Sequence, residues 1–380
     1  MHSIDKNSWH FVMLFRFGNI LGLNPLRLTN DSAIEPSLFG LLYPLLQTIL
    51  FGFICVEVFL DRYLITTPGE TEVFFILDQQ IVVLTFLELS SCWISFGFSQ
   101  KRLLRIADQF KKTSFIEQRL DIVCDYSKFV RRFAISMSCF NFFFLLSVTY
   151  TMWIAFRMTP EQDLKWWCIY NVIRVIHYNM ICLFVATITL VTLKFSRLNT
   201  QLENLLICDE SNGHQFFGIL WLFSELHRET CGLLDKIVSY FTIPLLITIT
   251  SHIIHITANI YCYYLYVEDV CPKNWDVFYV TSILHWITFP IAAIVIISDC
   301  CGCVIIEARR TSKILHSSGL ANHSRVDHVQ MQFNLLSLQL LRKDVKVTLY
   351  GLCDVNHCLL VQMTCAMVTC IVIMVQFDKD

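Results

Sequence analysis

Thr369-Cys370-Ile371-Val372-Ile373-Met374-Val375-Gln376-Phe377 closes the last apolar run of this 380-residue chain, and Asp378, Lys379 and Asp380 follow it. Read backward from Phe377, the run extends to about Val355 and contains no Asp, Glu, Lys or Arg. About 20 apolar residues wound as a helix cross the ~30 Å hydrocarbon core of a bilayer. Six further runs of that length precede it, at roughly 37–60, 71–96, 133–156, 168–193, 237–266 and 277–298. The chain has 29 Lys and Arg and 31 Asp and Glu, yet the seven runs hold only Glu57, Glu72, Asp78, Glu88 and Arg174. In lipid each backbone N–H and C=O must be satisfied internally, so runs of this length read as helices. The expected fold is an all-α integral membrane protein with seven transmembrane helices.

Composition points the same way. The chain is 55% hydrophobic and 16% charged, where soluble domains are about 25% charged. Its net charge of −2 gives no basis for nucleic-acid binding. Most of the 17 cysteines fall in the spans or on the Lys/Arg-rich side, where thiols stay reduced. Cys168 and Cys271 flank loops on the opposite side and are the candidate disulfide pair, a connectivity that sequence leaves open. The stretch Phe11–Leu28 is broken by Arg16, Gly18, Asn19, Asn24 and Pro25. It lacks a small-residue cleavage site and reads as a short interfacial or partly re-entrant helix within residues 1–36.

The basic residues set an orientation. Segments 1–36, 97–132, 194–236 and 299–354 carry 23 Lys and Arg, whereas 61–70, 157–167, 267–276 and 378–380 carry five. Basic loops stay in the cytoplasm. The N-terminus is therefore expected inside and the C-terminus outside, the inverse of a G-protein-coupled receptor. The sequons at Asn30 and Asn322 then lie inside and stay unmodified. The outer loops are only about ten residues long, so a ligand must enter among the helices. The inner segments 97–132 and 194–236 read as helical extensions beneath helices 1–6 (37–298), with apolar spacing amid charges over Lys101–Arg132 and Phe216–Leu234. Residues 299–354 form a further inner region, helical over Val329–Leu341, and 355–380 form the last helix and its short tail. Flexible turns are expected at Ser317-Ser318-Gly319 and Asp209–Gly213.

Ionisable groups inside lipid are costly and tend to face protein or water. Counting from the outer ends of their spans at ~1.5 Å per residue, Asp78 lies on the order of 10 Å deep and Arg174 about 9 Å. Matching depth makes these two the expected pair. His177 follows one turn below Arg174, and His285 and His255 lie at similar levels. Tyr150, Trp153, Tyr170, Tyr264, Tyr279 and Trp286 surround them in the outer half. Rings keyed by a few polar groups are the composition of a small-molecule cavity; the same rings also suit an interfacial aromatic belt. His252 and His255 have metal-ligand spacing but no carboxylate nearby in sequence, so no metal site is expected. Asp299-Cys300-Cys301-Gly302-Cys303 lacks the histidines of an acyltransferase motif; it suits either palmitoylation or helix packing. No phosphate loop, His-Glu-x-x-His or nucleophile elbow occurs, so neither an enzyme nor a cofactor is expected. In the last span, Thr369, Ile373 and Phe377 share one helical face by i, i+4 spacing, with Gln376 beside them. An apolar ring of this kind can close a pore by excluding water.

The span from Gly351-Leu352-Cys353-Asp354 to Phe377 resembles the terminal helix of insect gustatory receptors. Their signature there is Thr-Tyr, five apolar residues, then Gln-Phe. Thr369, residues 371–375, Gln376 and Phe377 correspond to it, and Cys370 stands in place of the tyrosine. The resemblance implies the inverted seven-helix topology and a last helix that lines an ion pore. It further implies inner helical extensions that hold four subunits together, as a homo- or heterotetramer. The implied activity is a non-selective cation channel opened by a small tastant, in the plasma membrane of chemosensory neurons. Sugar-responsive members carry Glu after the Thr-Tyr pair; Ile371 stands there, which favours a bitter or other non-sugar tastant. Odorant receptors share the architecture. A G-protein-coupled receptor would need the opposite orientation and the acidic-Arg-Tyr and Asn-Pro-x-x-Tyr motifs, and a transporter would need paired repeats or broken helices.

Overall fold

The computed structural model describes residues 16, 18–28, 34–64, 72–122, 126–158, 161–208, 213–267, 276–321, 338 and 345–377. Side chains are described throughout these ranges except at 28, 34, 62–64, 72–78, 154–158, 161–170, 207–208, 213–217, 266, 276–282 and 318–321. Eight long helices follow a short ribbon of β1 (Leu26–Leu28) and β2 (Ile34–Pro36). They are α1 (Leu38–Leu64), α2 (Glu72–Phe98), α3 (Gln100–Arg119), α4 (Tyr126–Met158), α5 (Glu161–Cys208), α6 (Gly213–Val267), α7 (Asp276–Ala321) and α8 (His357–Phe377). A second ribbon, β3 (Thr348–Leu349) with β4 (Cys353–Asp354), precedes α8. Among the described residues seven helices are long and apolar enough to cross a membrane, all but α3. The fold is thus nearly all-helical, with two antiparallel ribbons that the periodicity did not announce.

Helix length separates two layers. α5 and α6 have 48 and 55 residues, or about 72 and 82 Å at 1.5 Å per residue, more than twice the ~30 Å hydrocarbon thickness. Each therefore continues well beyond the membrane. α3 lies beside that projecting part of α6. There a second core forms from Ile116 of α3, Leu198 and Leu202 of α5, Leu220, Phe223 and Leu226 of α6, and Leu315 of α7. The chain is helical over Gln100–Arg119, and α5 and α6 cover most of residues 194–236. α7 stays helical through Ser317-Ser318-Gly319 to Ala321, contrary to the expected turn. The Ser317 hydroxyl donates to Ile314 O within the helix, so that residue's polarity is met without breaking it. Residues 329–337 and 339–341, both sequons, Cys271 and the side chain of Cys168 lie outside the described residues.

In the membrane layer α2, α5, α6 and α7 form the centre and α1, α4 and α8 the periphery. The N-terminal segment is not merely interfacial. Leu23 is buried in the main core, and the indole of Trp93 on α2 donates to Leu21 O at 3.0 Å. Beneath the membrane layer a charge pair pins α3 to α5. Lys194 Nζ lies 2.8 Å from Glu117 Oε2, with both side chains buried. The same oxygen accepts a 2.6 Å bond from the Tyr126 hydroxyl, and Lys194 sits over the Phe110 and Tyr126 rings at 4.3 and 5.1 Å. At the other terminus, Tyr350 and Gly351 turn the β3–β4 ribbon with φ of 52° and 70°. Both central positions of such a hairpin need positive φ, which Gly supplies without strain. Val347, Leu349 and Val355 anchor the ribbon in the core, and Asn356 Oδ1 accepts from Cys358 N at 2.9 Å to start α8.

Candidate functional site

Three central helices bring five ionisable side chains together inside the membrane layer. They are Glu88 of α2, Arg174 and His177 of α5, and His252 and His255 of α6, none more than 1% exposed. Arg174 Nη1 lies 3.9 Å from Glu88 Oε2 and 3.5 Å from His252 Nδ1. His252 Nδ1 is 3.6 Å from Glu88 Oε1, and the His177 and His252 rings are 5.2 Å apart. These distances are long for charge-assisted bonds, which run ~2.7–2.9 Å. Both carboxylate oxygens of Glu88, both ring nitrogens of His177 and Nε2 of His252 lack a hydrogen-bond partner among the described residues. A buried polar atom without a partner is destabilising by ~1–3 kcal/mol. Several such atoms in one place mark a group that can take up a polar guest.

Rings connect this cluster to a second polar point. Tyr178 lies 6.2 Å from the His252 ring and 5.2 Å from Phe144, and Phe144 lies 5.4 Å from Phe289. Phe289 is 4.7 Å from His285, whose Nδ1 contacts Ser147 Oγ at 2.7 Å. A chain of rings thus runs from the Arg174–His177–His252 cluster to His285. Trp286 is buried on the far side of His285, against Cys55, Val58 and Val82 of α1 and α2. Tyr150 and Trp153 stack at 6.5 Å but are 43% and 48% exposed on α4, the placement of belt residues. Tyr264 is half-buried and stacks on Tyr261 at 6.3 Å. The side chains of Asp78, Tyr170 and Tyr279 lie outside the described residues.

The side chain of Asp78, the partner expected from depth, lies outside the described residues, and Glu88 is a neighbour of Arg174 to which matching depth does not point. The reason is geometric. Depth was counted from residue 168, whereas α5 begins at Glu161. Arg174 is thirteen residues into α5 and Glu88 sixteen into α2, about 20 and 24 Å along their axes. Counted from the true helix starts, the two levels agree. The fold also supplies the carboxylate that His252 lacked in sequence. Glu88, His177 and His252 offer three ligand atoms within 4.8 Å of one another, the donor set of a metal site. Arg174 argues against that use, because its cation already neutralises Glu88 and a divalent ion would add to the buried positive charge.

α8 presents a different kind of surface. Leu359 and Met363 are buried against α6 and α7. Thr369, Ile373, Gln376 and Phe377 are exposed, Ile373 at 45% and Phe377 at 71%. The Thr369 hydroxyl is satisfied within its helix by Cys365 O at 2.9 Å. Val372 is 49% exposed and belongs to the same uncovered side. At 100° per residue it adjoins Ile373, and the buried face is centred instead on Met363. Nearby on α7, Cys301 is fully buried and Cys303 exposed.

A nearly all-helical bundle of seven membrane-length helices, with a polar cluster sealed among the central ones, defines a multi-pass membrane receptor class. The family described as the 7tm chemosensory receptors matches residues 12–380, and the chain belongs to that family. The solved olfactory receptor OR5 of Machilis hrabei in complex with eugenol is similar in fold. It has a TM-score of 0.66 and 15% identity, over 97% of this chain and 98% of that one. The structure of the same receptor described without eugenol gives a TM-score of 0.66 at 13% identity, over 97% of each chain. No curated protein matches the sequence. At these identities the likeness establishes the fold alone. The family is one of receptors and not of enzymes.

Proposed function

We propose that the chain is a gustatory receptor subunit, a ligand-gated non-selective cation channel opened by a small polar tastant outside the sugar class. The observation that carries this reading is the cluster of Glu88, Arg174, His177 and His252, with its unpartnered oxygens and nitrogens. Such a cluster suits a hydrogen-bonding guest better than a purely apolar volatile. His285, Trp286 and Tyr264 complete the ligand-contacting set with Asp78, Tyr170 and Tyr279, and Tyr150 and Trp153 line its outer approach. The N-terminus faces the cytoplasm, as the 23-to-five distribution of Lys and Arg supports. Four copies, of one or more kinds, surround an axis in the plasma membrane of chemosensory neurons. Their α8 helices turn the uncovered side, with Thr369, Ile373, Gln376 and Phe377, toward the conducting path. Apolar side chains there hold the closed state by dewetting.

Whole-cell recording normalised to surface protein tests the gate. Ile373→Ser and Phe377→Ser are expected to raise basal current without ligand, and Gln376→Ala to shift reversal potential or block. Met363→Ser, on the buried face, is expected to lower surface protein instead. If all three outward substitutions leave basal current, reversal potential and block unchanged at normal expression, α8 does not line the pore. Epitope tags stained in intact cells check the orientation independently; an accessible N-terminus with a hidden C-terminus would contradict it.

A further inference from the structure

A cavity of 460 Å³ lies where the N-terminal segment meets the first turn of α1. Its lining includes Arg16, Asn19, Asn24, Arg27, Ser37 and Tyr43, and among the described residues no acidic one lines it. Close approaches fix its shape. Leu23 N and Asn24 N both donate to Gly18 O, at 2.9 and 3.1 Å, and Gly22 makes the reversal with a φ of 72°. That turn ends the helix carrying Arg16, and β1 then presents Arg27. Gly40 packs so tightly that an added Cβ would lie 2.0 Å from Pro25 O. The amide of Gln100 clamps both the N–H and the C=O of Ser37 at 3.0 Å. Tyr43 donates to Ile20 O at 2.8 Å and stacks on Phe39. Two arginines, Arg16 and Arg27, thus line one preformed space together with polar side chains, a composition that suits an oxyanion.

The surroundings say which oxyanion. From this cavity α1 rises with Leu38, Phe39, Leu42 and Leu46 exposed at 73%, 71%, 54% and 66%. An occupant whose charged end fills the cavity has an uninterrupted apolar surface beside it for long hydrocarbon chains. We propose that this cavity binds the headgroup of an anionic phospholipid, with its phosphate between Arg16 and Arg27. The inference rests on the reading that residues 1–36 face the cytoplasm, the leaflet rich in anionic lipid. Glu35 stands opposite Arg27 in the ribbon and is the internal competitor for that guanidinium.

The test uses the full chain, purified into phosphatidylcholine nanodiscs and titrated with dioctanoyl phosphatidylserine. Saturable binding is expected. Each basic side chain near an anionic headgroup is worth about a fivefold factor, so Arg16→Gln/Arg27→Gln should bind about thirtyfold more weakly. Glu35→Gln should bind more tightly. Thermal melting and oligomer size report whether each variant is folded. Equal binding by a folded double variant, or no binding by the parent chain, would overturn the proposal. Inorganic phosphate competing as well as the lipid would reassign the cavity to a free anion and overturn the lipid. Binding is read without tastant or current, so its failure leaves the channel reading untouched, and the reverse holds as well.

Discussion

Two buried charge pairs cross from the α2–α3 arm to α5, and they are built to different standards. In the lower pair Glu117 Oε2 receives both Lys194 at 2.8 Å and the Tyr126 hydroxyl at 2.6 Å, under two aromatic rings. In the upper pair Glu88 and Arg174 are 3.9 Å apart, and neither carboxylate oxygen has a hydrogen-bond partner among the described residues. Glu117 leaves only Oε1 in that state. Both pairs carry the desolvation of two charges; the Glu117 carboxylate meets it with short bonds, whereas the Glu88 carboxylate accepts none among the described residues. A carboxylate held by short bonds serves as a structural pin. The Glu88 carboxylate retains capacity for further hydrogen bonds, and it sits among the histidines of the proposed ligand site.

The largest expected effect breaks the lower pair. Lys194→Met strands a buried carboxylate, which typically destabilises by ~3–5 kcal/mol. Surface protein should fall sharply, and the melting temperature of whatever is purified should drop. Lys194→Met/Glu117→Met removes both charges and should recover much of that loss, since a well-packed apolar replacement of a buried pair is often neutral. A double variant as unstable as the single one would mean that the pair holds α3 to α5 by something other than charge.

The middle effect concerns the upper pair and separates ligand response from folding. Glu88→Gln keeps the size and shape of the side chain and removes its charge. A hydrogen bond to a charged group is worth ~1.5–3 kcal/mol, so the half-maximal tastant concentration should rise about ten- to a hundredfold. Surface protein should fall less than for Lys194→Met. Concentration–response curves at matched surface expression decide it. An unshifted curve would show that the upper pair is structural like the lower one.

How much of this contrast was legible in the chain follows from what each feature depends on. The seven spans need only local composition, because apolar runs of membrane length have one stable solution in lipid. The projecting helices announced themselves through charges at helical spacing in Lys101–Arg132. The contact of Arg174 with Glu88 depended instead on where α5 begins relative to α2, while the side chain of Asp78, the partner expected from depth, lies outside the described residues. Glu88 was visible as a charge inside a span, which alone is a signal of function; what was missing was its level relative to another helix. The side of α8 that holds Val372 depended on which neighbours cover the helix, which no single-helix periodicity contains. Ser317-Ser318-Gly319 failed for the opposite reason: local turn chemistry was overruled by a helix already committed on both sides.

The smallest expected effect on stability is also the sharpest test of the contrast, because it compares two buried histidines. His227 is used: its Nε2 lies 3.1 Å from Ala308 O and its Nδ1 3.7 Å from Cys231 Sγ, tying α6 to α7. His177 is equally buried, yet neither ring nitrogen has a hydrogen-bond partner among the described residues. Removing a buried hydrogen bond costs ~0.5–1.5 kcal/mol, and more if the carbonyl is left unsatisfied, whereas replacing an unbonded polar ring by an apolar side chain is nearly neutral or stabilising. His227→Leu is therefore expected to lower the melting temperature and leave the tastant concentration dependence of the surviving protein unchanged. His177→Leu is expected to leave melting unchanged or slightly raised and to shift the concentration dependence to higher tastant. Thermal melts of purified protein and recordings at matched surface expression, taken on both variants, give four readings. If His177→Leu destabilises as much as His227→Leu and leaves the response in place, the upper cluster is a packing feature and the tastant is recognised elsewhere.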